Sequence, residues 1–231
     1  MKAIGLIGGM SWVSTAIYYR LINEAVRERL GGFHSARIAL WSLDFAEIER
    51  MQISGEWEKA GEHLAGAAKR LERAGADMIL ICANTMHKVA DAVAGAVRIP
   101  LIHIVDAAAG EIKRKGVKRP LLLATGYTME QDFYVGRLRD RHGIDVRVPN
   151  ASDRALVHEI IFQELVRDIV KPASKARYAE VVERARGEGA DGIIFGCTEI
   201  GMLLAPDDFD MPCFDTAAIH ATAAVDFALS P

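Results

Sequence analysis

One stretch of this chain is written twice. Gly75-Ala76-Asp77-Met78-Ile79-Leu80-Ile81-Cys82-Ala83-Asn84-Thr85 aligns without gaps on Gly189-Ala190-Asp191-Gly192-Ile193-Ile194-Phe195-Gly196-Cys197-Thr198-Glu199. Two more landmarks recur in the same order. Ile99-Pro100-Leu101-Ile102 matches Met211-Pro212-Cys213-Phe214, and the opening apolar run with Gly8-Gly9-Met10-Ser11 matches Leu121-Leu122-Leu123-Ala124-Thr125-Gly126-Tyr127-Thr128. A repeat this long restricts the chain to a duplicated supersecondary plan. It predicts two similar units, residues 1–100 with 214–231 and residues 101–213, with the last helix returning to the first unit.

Within each unit, short apolar runs suited to buried parallel strands alternate with stretches of helical period: Ala3 to Ile7, then Ser14 to Leu30; Ala36 to Leu43, then Trp57 to Ala74; Met78 to Ile81, then His87 to Val97. Strands are expected again at Leu101 to Val105, Leu121 to Ala124, Asp145 to Val148 and Ile193 to Phe195, and helices over Met129–Arg141, Asp153–Val170, Lys175–Glu188 and Ala217–Leu229. The fold class is therefore α/β with mostly parallel sheets in two pseudo-twofold-related domains. Open parallel sheets bind ligands beyond the carboxyl ends of their strands, so the active site is expected in the cleft between the domains, with Ala83-Asn84-Thr85 facing Cys197-Thr198-Glu199.

Composition removes several classes. With 28 Lys plus Arg against 31 Asp plus Glu, the chain lacks the positive excess that binds nucleic-acid phosphates. No segment reaches the roughly 18 uninterrupted apolar residues of a membrane span, and Gly8-Gly9 and Ser11 cut the first apolar run short of a signal-peptide core. A cytoplasmic protein with neither nucleic-acid nor membrane partners is expected. The three cysteines are widely spaced and an odd number, which suits a reducing compartment and leaves thiols available for chemistry. His34, His103, His158 and His220 form no ligand pair with each other or with a cysteine on one element, so no metal is expected; the Gly5-x-x-Gly8-Gly9 turn lacks dinucleotide-binding spacing, so no coenzyme is expected.

Cys197 is the candidate catalytic group. It stands where a buried strand ends and the chain turns, an arrangement in which backbone N–H groups lower a thiol pKa; a small buried hydrophobe is the plainer alternative. In the partner segment, Asn84 and Thr85 are suited to capping the next helix, to binding a substrate carboxylate, or to both. Thr85 is also a candidate relay for a second proton. Met10, Ser11, Gln52, Ala83, Thr125, Thr128, Thr198, Glu199 and Arg167 complete the candidate substrate-binding set, and His87 is kept outside it.

Ile4-Gly5-Leu6-Ile7-Gly8-Gly9-Met10-Ser11-Trp12, Asn84-Thr85-Met86-His87, Tyr127-Thr128-Met129-Glu130-Gln131-Asp132-Phe133-Tyr134, Phe195-Gly196-Cys197-Thr198-Glu199-Ile200-Gly201 and Phe214-Asp215-Thr216-Ala217-Ala218-Ile219-His220 resemble the aspartate/glutamate racemase family, especially its broad-specificity amino-acid racemases. The resemblance implies two Rossmann-like domains, a homodimer, no cofactor, and a small amino acid or dicarboxylate as substrate. It also implies one cysteine from each domain flanking the α-carbon, one thiolate removing the proton and the other thiol returning one. The first of those places is Ala83 here. Cys82 is one residue early, and adjacent residues of a strand point to opposite faces. The family's substrate-binding lysine has Arg167 as its nearest counterpart. The expectation is a slow or one-sided racemase working through Cys197. Two alternatives are an arylmalonate-type decarboxylase, which needs only the second cysteine, and a non-catalytic protein that binds small acids.

Overall fold

Strand β1 (Ile4–Gly8) is buried along its whole length and pairs in parallel on both sides, with β2 (Ile38–Ser42) and β3 (Met78–Ile81). A strand covered on both faces has no reason to alternate polar with apolar residues, which is why it reads as a continuous hydrophobic run. The sheet order is β2-β1-β3, extended by a single parallel bridge from Ile79 to Leu101. β4 (Pro120–Leu123), β5 (Gly192–Phe195) and β6 (Cys213–Asp215) form a second parallel sheet in the order β4-β5-β6, with a bridge from Leu121 to Arg147 on the free side of β4. Counting the bridges, the two sheets have the same four-position plan. The repeated segments supply β3 and β5, each paired with the strand that opens its unit.

These features come from a computed structural model describing residues 1–231. The chain divides into two compact units, Met1–Ile104 with His220–Pro231, and Val105–Ile219. No helix is long and apolar enough to cross a membrane.

In the first unit the helix Trp12–Leu30 buries Val13, Ser14, Thr15, Tyr18, Ile22 and Val26, a stripe at three- and four-residue spacing, and is capped by the Ser11 hydroxyl accepting from Ser14 N–H. The helix Trp57–Arg73 buries Ala60, Leu64, Ala67, Ala68 and Leu71 in one cluster with Ile7, Ile79 and Ile81. Gly9, at φ +84°, makes the turn out of β1; a Cβ there would lie 2.1 Å from the Leu43 carbonyl oxygen, so only glycine lets the two loops meet.

The repeated Gly-Ala-Asp has one structural task in both units. Gly75 and Gly189 adopt left-handed conformations, and the aspartate that follows two residues later holds the start of the neighbouring strand. Asp77 accepts from Ala3 N–H at 2.6 Å, and Asp191 accepts from Lys118 and Arg119 N–H at 2.9 and 2.7 Å. The duplication is thus partly a device for joining strands, independent of any chemistry.

Several features differ from the sequence reading. The helix expected over His87 to Val97 is a 3-10 turn, Thr85–Val89, followed by a short helix, Ala90–Ala94; the one expected over Met129–Arg141 is broken at Gln131 into Gly126–Glu130 and Asp132–His142; and Cys213–Asp215 is a strand where none is expected. Helices form over Phe45–Ser54 and Ile104–Arg114, where none is expected. The strands expected at Leu101 to Val105 and Asp145 to Val148 reduce to one bridge each. The long helix expected over Asp153–Val170 runs from Ala151 to Gln163 and gives way to a 3-10 turn, Leu165–Arg167, because Glu164 leaves helical geometry and Asp168 turns left-handed at φ 61°.

Candidate active site

The register of β4 and β5 sets the geometry in the second unit. Leu123 pairs with Phe195, so Thr125 and Cys197, each two residues further on, emerge from adjacent strand ends. In the first unit Ile7 pairs with Ile81, and Gly9 and Ala83 emerge in the same way. Ala83, rather than Cys82, is therefore the positional equivalent of Cys197. Cys82 is fully buried, its N–H donates to Ile7, and desolvation pushes its thiol far above the usual range. It is an interior residue.

Cys197 is partly exposed, whereas Thr198 and Glu199 beside it are buried. Its Sγ donates to Glu199 Oε2 at 3.0 Å. Desolvation and then the Glu199 carboxylate raise the thiol pKa well above its ordinary value, while the N–H groups of Glu199 and Thr198 pull the other way. The turn does supply the backbone donors expected from sequence. They are outweighed by a dry setting and an adjacent negative charge, so the resting group is a thiol, contrary to the lowered pKa that the strand-end position suggests.

The surroundings of Cys197 come from distant parts of the chain. The turn Leu165–Arg167 packs against the short helix Ile200–Leu203 that follows Glu199, which brings the exposed Arg167 to this end of the unit. Tyr178, on the helix Pro172–Gly187, is fully buried; burial above all, and then its neighbours Cys197 and Glu164, push its phenol upward, and its hydroxyl donates to Val157 O at 3.3 Å. Glu164 accepts from Ser174 Oγ at 2.6 Å and from Lys171 Nζ at 3.1 Å, which keeps its carboxyl below the ordinary range.

Thr125 and Thr128 stand in a tight turn after β4, their hydroxyls 3.2 Å apart, with Thr128 and Met129 N–H both donating to Thr125 O. The turn is held from outside by His158, whose Nδ1 accepts from Gly126 N–H at 3.0 Å. A cavity of about 370 Å³ lies beside it, lined by Tyr127, Glu130, Arg154 and His158 among others. The sequence reading misses the roles of His158 and Tyr178, because each acts through a contact between elements far apart in sequence.

In the first unit Met10, Ser11, Gln52, Asn84 and Thr85 are all buried. The Ser11 hydroxyl caps the first helix, and Gln52 Nε2 donates to the Met86 thioether at 3.1 Å, which ties it to the Asn84-Thr85-Met86 segment rather than leaving it on the surface. Asn84 precedes the 3-10 helix Thr85–Val89 and makes no side-chain cap bond there, so of its two expected tasks the capping one is not performed. His87 is a structural group. Its Nδ1–H donates to Ala83 O at 2.8 Å and its Nε2 accepts from Ile104 N–H at 3.2 Å, which together require the neutral ring. No cluster of three or more His, Cys, Asp or Glu side chains is placed to hold a metal ion.

Residues 7–224 match the family described as Asp/Glu/hydantoin racemase. The chain is 22% identical over 233 residues to the broad specificity amino-acid racemase RacX of Bacillus subtilis, covering 96% of each. It is 51% identical to a Yersinia pestis protein assigned to the Asp/Glu racemases, with all of both chains covered and a TM-score of 0.93. An aspartate racemase homologue from Pyrococcus horikoshii is 37% identical, again over the whole of both chains, with a TM-score of 0.87.

Proposed function

We propose, for a chain that belongs to the Asp/Glu/hydantoin racemase family and is an isomerase of that class, a cofactor-independent amino-acid racemase that works through the Cys197 thiol. The observation that carries this reading is the Cys197–Glu199 contact at the carboxyl end of β5, where a partly exposed sulfur sits over a buried carboxylate. The α-proton of an amino acid is weakly acidic, and its removal needs both a positioned base and donors that stabilise the developing negative charge. Cys197 is the one cysteine at a repeat-equivalent strand end, and it serves one face of the α-carbon. Asn84, Thr85, Thr125, Thr128 and Thr198 supply hydroxyl, amide and backbone donors for the substrate carboxylates, with Arg167 as the cation. Met10, Ser11, Gln52, Ala83 and Glu199 complete the proposed substrate-binding set, and Thr85 is the proposed relay for the second proton. With Ala83 unable to carry a proton, turnover is slow or confined to one enantiomer. The protein acts in the cytoplasm as a homodimer.

A protonated thiol without a second cysteine at the equivalent position also suits an arylmalonate-type decarboxylase, in which the thiol protonates an enolate after carbon dioxide leaves. One experiment separates the two. In D₂O, L- and D-aspartate, glutamate and homoserine are followed by NMR for deuterium at the α-carbon, beside carbon dioxide release from an arylmalonate. Exchange or inversion of one enantiomer, faster than of the other, is expected. Gas release with no exchange in any amino acid would replace the racemase with the decarboxylase.

A further inference from the structure

We propose that the free edge of β2 is a self-association surface, at which two copies of this chain pair their β2 strands antiparallel across a twofold axis centred on Leu40. The proposal gives the homodimer a surface and is independent of the racemase reading.

β2 closes one side of its sheet and pairs only with β1. Ile4 N–H donates to Arg37 O at 2.8 Å and Leu43 N–H to Gly8 O at 2.9 Å, so Ala39 and Trp41, in step with them, turn their backbone groups toward β1. The N–H and C=O groups of Ile38, Leu40 and Ser42 point away from the sheet and have no partner in the unit. Native proteins blunt such an edge with proline, lysine, a bulge or a covering element. Ile38-Ala39-Leu40-Trp41-Ser42 carries none of these, and Leu40 and Trp41 are both exposed.

The layers on either side of the strand continue this surface. Along the helix Trp12–Leu30, residues 12, 16, 19 and 23 lie on one stripe. Asn23 Oδ1 accepts from Ala36 N–H at 3.0 Å, which turns the stripe toward the β2 side of the sheet, and there Trp12 and Tyr19 are 67% and 56% exposed. Leu40 lies on the same face as that helix, because a Cβ built on Gly8 would meet both Thr15 and Leu40. On the opposite face Trp41 stacks with Arg70 beside a cavity of about 440 Å³ lined by Asp44, Glu47 and Glu62 among others. A five-residue edge alone falls short of the roughly 800 Å² that each subunit buries in a stable dimer, and the aromatic stripe widens it.

The match of the edge to itself identifies the occupant as a second copy. A twofold axis at Leu40 sets Leu40 against Leu40 of the partner subunit and Ile38 against Ser42 of the partner subunit. These are the residues whose backbone groups point outward, so each opposed pair exchanges two hydrogen bonds. The same register brings Arg37 against Leu43 of the partner subunit, next to Asp44 of the partner subunit. Arg37 is exposed and pairs with no acid of its own chain, and it emerges on the Trp41 face, where the acidic cavity lies. A foreign strand would satisfy the ladder but has no reason to carry a cation at the place where this cavity needs one.

The test uses the full-length protein and reads mass and backbone amide hydrogen exchange. By sedimentation equilibrium the parent is expected at twice the 25.2 kDa of one chain, with the Leu40 and Ser42 amides exchanging slowly. Leu40→Pro removes an outward donor, a change that an unpaired edge tolerates, and is expected to give the single-chain mass. Arg37→Glu sets like charges together twice, once for each copy, and is expected to raise the dimer Kd about 10-fold or more. In the dissociated variants the Ser42 amide should exchange fast while those of Ala39 and Trp41, bonded to β1, stay protected, a pattern that unfolding would not give. A monomeric parent, a dimer whose Kd either folded variant leaves unchanged, or a dimer with a rapidly exchanging Leu40 amide would overturn the proposal. If Leu40→Pro does not fold, Arg37→Glu and the amides of the parent decide.

Discussion

Replacing Cys197 by Ser is expected to lower α-proton exchange by about 10³-fold or more while leaving the fold in place. A positioned acid or base commonly contributes 10² to 10⁴ in rate. Serine keeps the shape and can still donate to Glu199, but its hydroxyl is a far weaker acid than a thiol, so the anion that must act as base is far harder to form. Cys197 is partly exposed and packs no large apolar surface, so the thermal midpoint should change little. Exchange rates of the parent and the variant, measured beside their unfolding curves, check both parts. Undiminished exchange in a folded Ser variant would remove the sulfur from the chemistry.

Acid should destabilise the first unit through His220. This ring is fully buried between Tyr18, whose hydroxyl lies 2.8 Å from Nδ1, and the Ile102 carbonyl, 2.7 Å from Nε2. Nε2–H donates to the carbonyl and Nδ1 accepts from Tyr18, which requires the neutral imidazole. Burial holds its pKa at about 4, although the bond to Ile102 opposes this. The unfolded chain protonates near the ordinary histidine value of about 6.5, so between about pH 6.5 and 4 it binds more protons than the folded one. Stability is therefore fully present above the unfolded value, falls as pH drops through that window, and levels off below it. The loss is of the order of 3 kcal/mol, a large share of a typical domain's stability. Urea unfolding at a series of pH values measures it, and the slope should flatten in His220→Gln. A parent curve flat between pH 7 and 4 would contradict the assignment of the neutral ring.

Much of this was legible in the sequence because the repeat carries both scaffold and site. The runs Met78–Ile81 and Ile193–Phe195 became strands, each preceded by a left-handed glycine turn, since a strand buried on both faces announces itself by composition alone. Placing Ala83 opposite Cys197 in the alignment needed only strand register. The helix Phe45–Ser54 escaped a periodicity reading because much of it is polar, yet its ends were marked: Asp44 caps it with Glu47 three residues on, and Gly55 closes it in a left-handed turn. The helix Ile104–Arg114 buries Ile104, Val105, Ala108, Ala109 and Ile112 at helical spacing, but its first two residues belong to the apolar run Leu101 to Val105, which reads as a strand. What sequence could not supply was electrostatic balance. Strand-end geometry favours an acidic thiol at position 197, whereas in the folded unit burial first and then the Glu199 carboxylate raise its pKa instead. His87 shows the same limit, since its two backbone partners, Ala83 and Ile104, come together only in the folded unit.

The central claim is that the Cys197 sulfur meets the acidic carbon of the substrate, and a crystal structure with a bound amino acid or dicarboxylate tests it most directly. The account predicts the substrate α-carbon about 3 to 4 Å from Sγ, in van der Waals contact along the path of proton transfer, with Glu199 still bonded to the sulfur. A ligand seated elsewhere, for example in the cavity beside Tyr127 and His158 with Cys197 touching only protein, would contradict it.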